Sequence, residues 1–275
     1  MKTNNIITIS DTHCGCQLGL CPPTGVRLDE GGMYYPHNIQ KKIWAYWVAF
    51  WDEWVPMVTR QEPFILVING DTTDGVHHNA THQISHNLTT QSKIAYEVLA
   101  PIVDKSIRFY MIRGTEAHVG PSGAEEERLA QKLGAMPNEL GQYARYDLWK
   151  KVGDGGLVHF LHHIGTTSSN AYEATAVNKE LTEEFNEAAR WNESPPNVII
   201  RSHRHRHIKI SVPTSTGEAI AEVTPGWQGK TPFVWKIPGG RLAPPQFGGV
   251  LIRQGDEDFV YTRNKVWTVG RSPIE

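Results

Sequence analysis

Ile6-Ile7-Thr8-Ile9-Ser10-Asp11-Thr12-His13 is the stretch whose reading decides the fold. A short run rich in β-branched residues predicts a buried strand. It ends at once in a carboxylate and an imidazole two positions apart. On an extended segment Asp11 and His13 would point the same way and could grip one cation. Alone, such a pair is weak evidence. The same device recurs further along the chain, and the recurrence gives it weight. The run Phe64–Ile68 leads to Asn69-Gly70-Asp71, Leu157–Leu161 to His162-His163, and Val198–Ile200 to Ser202-His203-Arg204-His205. A fifth run, Ile107–Ile112, leads to Arg113-Gly114-Thr115-Glu116-Ala117-His118. In open α/β sheets functional sites lie beyond the carboxyl ends of strands, and these polar residues all fall in that phase.

Between the strands the spacing predicts helices. One runs from a cap at Asn38 to about Val55, stopped by Pro56. A second covers about Asn87 to Ile102 with an interruption near Pro101. A third spans Ala124–Leu133 and ends at Gly134, and a fourth about Tyr172–Trp191. Runs Ile208–Val212, Glu218–Val223, Gly249–Arg253 and Phe259–Arg263 predict further strands, so that the chain from about residue 208 completes a second sheet. The reading is an α/β protein with one domain over residues 1–275. Trp44, Trp47, Trp51 and Trp54 form one helical stripe, which is read as a core face rather than a base-stacking surface.

Composition narrows the class. The 275 residues are 39% apolar and 20% charged, with a net charge of −2, ordinary for a globular protein and without the global positive field of a nucleic-acid binder. A local basic groove remains compatible with nucleic-acid substrates. The start of the sequence lacks an apolar export segment, and the longest apolar run, Ile43–Trp51, is far short of the roughly 20 residues that span a bilayer. The expectation is a cytoplasmic protein with no membrane partner. Cys14, Cys16 and Cys21 share one loop and are read as free thiols. Histidine stands out, with 13 residues, most of them clustered.

Asp11, His13, Asp71, His162, His203 and His205 offer more mixed nitrogen and oxygen donors than one tetrahedral ion needs. They suit two divalent cations about 3.5–4 Å apart, with a hydroxide activated between them for in-line attack on a phosphate ester. His/Asp sites accept Mn, Fe, Zn, Ni or Co, and Mn²⁺ is the first expectation. His159 and His163 alternate with His162 along the strand, so one phase alone faces the site. His207 offers a shifted register for the last pair. Asp74 is read as supporting a ligand or a turn, and the loop Gly75–His86, with His77, His78, His82 and His86, as either substrate-facing or solvated. Arg201, Arg204, Arg206 and Lys209 form a basic segment that could hold phosphate or be solvated charge.

Taken in order, these motifs resemble those of the calcineurin-like metallophosphoesterases over roughly Ile6 to His207. Ser10-Asp11-Thr12-His13 is similar to the first motif, Gly70-Asp71-Thr72-Thr73-Asp74 to the second, His162-His163 to the fourth and Ser202-His203-Arg204-His205 to the fifth. The resemblance implies a four-layer αββα sandwich of two mixed sheets flanked by helices. It further implies one metal on Asp11, His13, Asp71 and His205, and a second on Asp71, His162 and His203, with Asp71 bridging. The third motif departs: Thr115 stands where the family has a metal-binding Asn, and either Thr115 or Glu116 would replace it. His118 takes the catalytic histidine's role, and some phage-encoded relatives resemble this variant. The expected activity is hydrolysis of phosphate esters, chiefly diesters of nucleotides or nucleic acid. The alternative is a non-catalytic scaffold of the same fold with a degraded metal site.

Overall fold

The computed structural model describes residues 3–77, 79–165, 169–215, 217–237, 239–255 and 259–270. Thirteen strands are described. They are β1 (Asn5–Ile9), β2 (Val26–Arg27), β3 (Met33–Tyr34), β4 (Ile65–Asn69), β5 (Arg108–Ile112), β6 (Ala144–Arg145), β7 (Asp147–Val152), β8 (Gly156–Leu161), β9 (Val198–Arg201), β10 (Ile208–Thr214), β11 (Gly217–Val223), β12 (Gln246–Gln254) and β13 (Val260–Thr268). The α-helices are α1 (Asn38–Ala49), α2 (Val55–Val58), α3 (Leu88–Val103), α4 (Glu116–Val119), α5 (Ala124–Leu133) and α6 (Glu173–Trp191).

The strands form two mixed sheets, ordered β13-β12-β1-β4-β5-β6 and β10-β11-β9-β8-β7, with β2 and β3 making a small separate ribbon. Alternation along the strands builds four layers. Ile6, Ile65, Val67, Tyr110 and Val250 of the first sheet meet Leu148, Val158, Phe160, Val198 and Ile220 of the second in a central apolar core. The opposite phase of the first sheet, with Ile7, Ile9, Leu66, Ile68 and Met111, packs under residues of α1, α3 and α5. The outer face of the second sheet, with Ile199, Ala221 and Val223, packs under Val177 and Leu181 of α6. The architecture is an αββα sandwich.

Within it, β1, β4, β5 and β6 run parallel, and so do β8, β9 and β11. The carboxyl ends of β1, β4 and β5 therefore share one edge of the first sheet, and those of β8 and β9 one edge of the second. Asn69 joins the two edges. Its Nδ2 donates to the Leu161 carbonyl at 2.9 Å and to Ser202 Oγ at 2.6 Å.

Several local expectations are corrected. The tail does not complete one sheet: β10 and β11 enter the second, whereas β12 pairs antiparallel with β1 and carries β13 to the edge of the first. In that place nearly all of β12 is buried, with Val250 and Ile252 in the central core and Leu251 facing the helices. His37, not Asn38, is the N-cap of α1, and Gln40 Oε1 accepts its backbone N–H. Pro56 does not stop that helix. A π-helical turn at Phe50–Trp54 shifts the ladder, so the missing N–H of Pro56 falls in the first turn of α2. Pro101 likewise sits inside α3, one turn from its end. Trp47, Trp51 and Trp54 are buried and pack with Phe50 and Trp227 in the core. No helix among the described residues is long and apolar enough to cross a membrane.

Candidate metal centre

Six side chains expected at strand ends come together where the two sheets meet, in two triads. Potential ligand atoms of Asp11, His13 and His205 lie within 4.8 Å of one another, and so do those of Asp71, His162 and His203. In the first, Asp11 Oδ1 lies 3.2 Å from His205 Nε2 and 4.0 Å from His13 Nε2, and the two imidazole nitrogens are 3.1 Å apart. In the second, Asp71 Oδ2 lies 3.0 Å from His162 Nε2 and 3.9 Å from His203 Nδ1. The triads adjoin: the His203 N–H donates to Asp11 Oδ2 at 3.3 Å.

The backbone that achieves this is not extended, contrary to the expectation for Asp11 and His13. Asp11 (φ 51°), His13 (φ 41°), Asp71 (φ 52°), His203 (φ 70°) and His205 (φ 52°) all adopt the left-handed region. Each such residue costs on the order of 1–3 kcal/mol, and such strain concentrates at functional sites. After each strand the chain curls so that alternate side chains face the seam between the sheets. Gly114 is needed here, since a Cβ at this position would lie 2.2 Å from Asp71 Oδ1.

Neighbouring groups fix the tautomers. His162 Nδ1 donates to the Asn69 carbonyl at 2.6 Å, leaving Nε2 to face Asp71. His13 Nδ1 lies 3.2 Å from Asp74 Oδ1, leaving its Nε2 toward His205 and Asp11. Such partners orient imidazoles that bind metal. Lone pairs aimed at buried carboxylates repel them unless a proton or a cation lies between, and this is the test the donor set passes. Asp11 and Asp71 are 0% and 1% exposed.

Without a cation, protons supply the charge. Burial alone would push His162 down, but the Asp71 carboxylate beside it holds it up at about 10. His205 is likewise raised by Asp11 against burial. Burial opposes ionisation of both aspartates, yet His205 holds Asp11 down at about 2 and His162 holds Asp71 well below the carboxylate range.

The structure also separates the alternatives. His163 is exposed, while His159 Nδ1 pairs with Glu184 Oε1, 2.6 Å away, on the outer face of the second sheet. His207 Nε2 pairs with Glu222 Oε1 at 2.7 Å. Thr115 Oγ1 donates to Asp71 Oδ2 at 2.7 Å and its N–H to Oδ1 at 2.7 Å, while Glu116 is exposed. His118, in α4, places Nδ1 2.6 Å from the Asp74 carbonyl and its ring 4.5 Å from that of His13. Burial, reinforced by His13, pushes His118 down to about 4, so it is neutral at pH 7. Of the basic segment, Arg201 pairs with Glu180 at 2.9 Å and Glu184 at 2.7 Å, and Arg206 with Glu173 at 2.7 Å. Lys209 donates to the Thr262 carbonyl at 3.2 Å. In Arg204 neither terminal nitrogen has a hydrogen-bond partner among the described residues. His78 lies outside those residues.

Two supports had no signal in the strand-end pattern. Ser10, Thr224 and Ser202 form a hydroxyl chain, with 2.7 Å from Ser10 Oγ to Thr224 Oγ1 and 2.7 Å from Thr224 Oγ1 to Ser202 Oγ. Glu126 of α5 is fully buried, and it accepts from the Thr72 N–H at 3.2 Å and the Gly114 N–H at 2.7 Å. Its place in the first turn of α5, beside Glu125 and Glu127, reads in sequence as an ordinary helix-end acid.

No family model matches the sequence, and no curated protein matches it. Solved structures with a similar chain course include Vps29 of Chaetomium thermophilum, at 11% identity over 98% of this chain and 97% of that chain with a TM-score of 0.40. A hypothetical protein from Thermus thermophilus is 10% identical over 96% of this chain and 99% of that one, with a TM-score of 0.41. The sulfate thiohydrolase SoxB of the same organism is 10% identical over 98% of this chain but 57% of that one, with a TM-score of 0.42. The architecture described above rests on the strand order itself.

The raised His162 sets a pH dependence. Its folded value of about 10 exceeds the ordinary 6.5, so its contribution is fully present below pH 6.5 and is lost as pH climbs toward 10. Thermal unfolding of chelator-treated protein is expected to show a falling midpoint from pH 6.5 upward. Saturating Mn²⁺ is expected to abolish the fall, because the cation takes the proton's place. A midpoint that stays level in chelator over this range would contradict the pairing.

Proposed function

We propose that the chain is a hydrolase of phosphate esters, with phosphodiesters as the favoured class, working at a dinuclear centre. The carrying observation is the pair of adjoining triads, each with a buried carboxylate facing imidazole nitrogens. The order of the motifs, similar to that of the calcineurin-like metallophosphoesterases, supports the same reading. Asp11, His13 and His205 would hold one divalent cation and Asp71, His162 and His203 the other, with Asp71 shared between them. Mn²⁺ is the first candidate, and the donor set equally suits Fe, Zn, Ni or Co. Bound there, two divalent cations would lower the pKa of water and neutralise charge gathering on phosphate.

The chain's own residues do the rest. Thr115 holds Asp71 in place by donating to its carboxylate. His118 is neutral, with Nδ1 tied to the Asp74 carbonyl, so its Nε2 can take up a proton as anionic charge arrives and return it to the leaving oxygen. The diester preference rests on charge. A monoester at neutral pH carries close to two negative charges and a diester one. Three of the four cations beside the fifth motif are already engaged and the terminal nitrogens of Arg204 are buried, so little fixed positive charge stands by for a dianion. Nucleotides or nucleic acid fit this chemistry.

Three outcomes test the proposal. Asp71→Ala is expected to lose the metal of the dinuclear centre and nearly all turnover, and full activity in that variant would defeat the shared-ligand role. His118→Ala is expected to keep its metal content while turnover falls by about 10²–10⁴. Metal loss there would make His118 a ligand instead. In Mn²⁺, chromogenic diesters are expected to be cleaved faster than monoesters. A reversed order would remove the diester assignment, and failure to take up metal with no turnover on either would favour the scaffold.

A further inference from the structure

Metal-type residues continue beyond the two triads, on the far side of Asp74. There Cys16, Asp74 and His82 bring potential ligand atoms within 4.8 Å of one another. Asp74 Oδ2 lies 3.6 Å from His77 Nε2 and 3.9 Å from His82 Nε2. Cys16 and Asp74 are fully buried, and the His77 and His82 side chains are 11% and 12% exposed. The site is built by two loops pinned to each other. The Gln17 N–H donates to the His82 carbonyl at 2.8 Å, the Ile84 N–H to the Gly15 carbonyl at 2.6 Å, and the Asp74 N–H to the Cys14 carbonyl at 3.1 Å.

Two details distinguish this cluster from packed core. The Leu18 N–H donates to Cys16 Sγ at 3.3 Å, two residues on, and hydrogen bonds to sulfur favour a thiolate ligand. In addition, His82 Nε2 is buried without a hydrogen-bond partner among the described residues while it faces the Asp74 carboxylate. A cation would engage the nitrogen, draw the proton from the thiol to solvent, and use the carboxylate oxygen's remaining lone pair. That oxygen already receives Gln83 Nε2 at 2.8 Å, which orients it.

We propose that Cys16, Asp74, His82 and His77 form a third cation site, selective for Zn²⁺ and separate from the dinuclear centre. One thiolate, two imidazoles and one carboxylate make a four-coordinate set of the kind Zn²⁺ takes, and the soft sulfur selects against Mn²⁺. The free-thiol reading gives way for Cys16 alone: Cys14 Sγ and Cys21 Sγ meet Thr12 Oγ1 and the Pro22 carbonyl. Asp74 links the sites, since its other oxygen lies 3.2 Å from His13 Nδ1 and receives Gln228 Nε2 at 2.9 Å. Zn²⁺ would thereby lock both loops and hold His13 in its orientation.

The test uses the full chain, stripped with chelator and reloaded with Co²⁺ or Zn²⁺. Wild type and Asp71→Ala loaded with Co²⁺ are both expected to show a thiolate-to-metal charge-transfer band in the near ultraviolet. Cys16→Ser is expected to lose the band and one equivalent of bound Zn²⁺, while Cys14→Ser keeps both. Absence of the band from wild type, or an unchanged Zn²⁺ stoichiometry in Cys16→Ser, overturns the proposal. Should Cys16→Ser fail to fold, X-ray absorption on Zn²⁺-loaded Asp71→Ala decides. One sulfur at about 2.3 Å supports the site, and a shell of nitrogen and oxygen alone refutes it. Because Asp71→Ala is aimed at the dinuclear centre, its behaviour separates failure of that centre from failure of this one.

Discussion

Two carboxylates without access to water, Asp11 and Asp71, dictate the organisation of this molecule. Burying an ionised carboxylate is costly unless positive charge and hydrogen-bond donors meet it. The chain meets that demand with imidazoles gathered from separate strand ends and with N–H and O–H groups from Thr115 and the His203 backbone. Neutral imidazoles would aim lone pairs at the aspartates, so the arrangement is stable only with added positive charge. A proton on His162 and His205 supplies such charge, and the same groups could take it from a metal ion instead. Stability and metal affinity are thus two aspects of one electrostatic requirement.

The fold supplies the means. Parallel strands deliver Asp11 and Asp71 at one edge, and the second sheet delivers His162, His203 and His205 at another. The edges must be held together, and polar groups do it: Asn69 reaches Leu161 and Ser202, and the Ser10–Thr224–Ser202 hydroxyls run alongside. The Asn69 amide nitrogen and the three hydroxyls find partners within this network, as buried donors require. The remaining cost is conformational. Asp11, His13, Asp71, His203 and His205 accept left-handed backbones so that side chains two apart can face one pocket. The hydrophobic layers on either side hold that strain in place.

Much of this was legible in the sequence, because short apolar runs ending in Asp or His carry both strand and site in one signal. The helix Ala124–Leu133 was readable to the residue, since Gly134 marks its left-handed end. What escaped reading escaped for physical reasons. The strand Asp147–Val152 alternates charged and apolar residues weakly, and its pairing with β8, not its own composition, defines it. The destination of Gln246–Gln254 depends on which sheet has an open edge beside β1, and no local property encodes that. Asp11 and His13 converge through a left-handed backbone at both residues, not through the extended segment their spacing suggested. Cys16 and His82 lie far apart in the chain, and only the pairing of the two loops brings them together.

Glu126 and Asp71 show how finely the same pocket sorts its acids. Both are fully or almost fully buried and both accept hydrogen bonds from backbone N–H groups around Gly114 and Thr115. Yet burial raises Glu126 to about 7, with only those dipoles and the Thr72 hydroxyl to oppose it, whereas the neighbouring histidines carry Asp71 far the other way. The Asp71 charge itself adds to the upward push on Glu126. A second full negative charge behind Asp71 would have to be offset by further positive charge in a pocket closed to water. A carboxyl whose ionisation is held back by burial pins Thr72 and Gly114 instead. The pocket can therefore surround Asp71 with acidic oxygen on one side and imidazole on the other, and keep its anionic character concentrated on the side that faces His162 and His203.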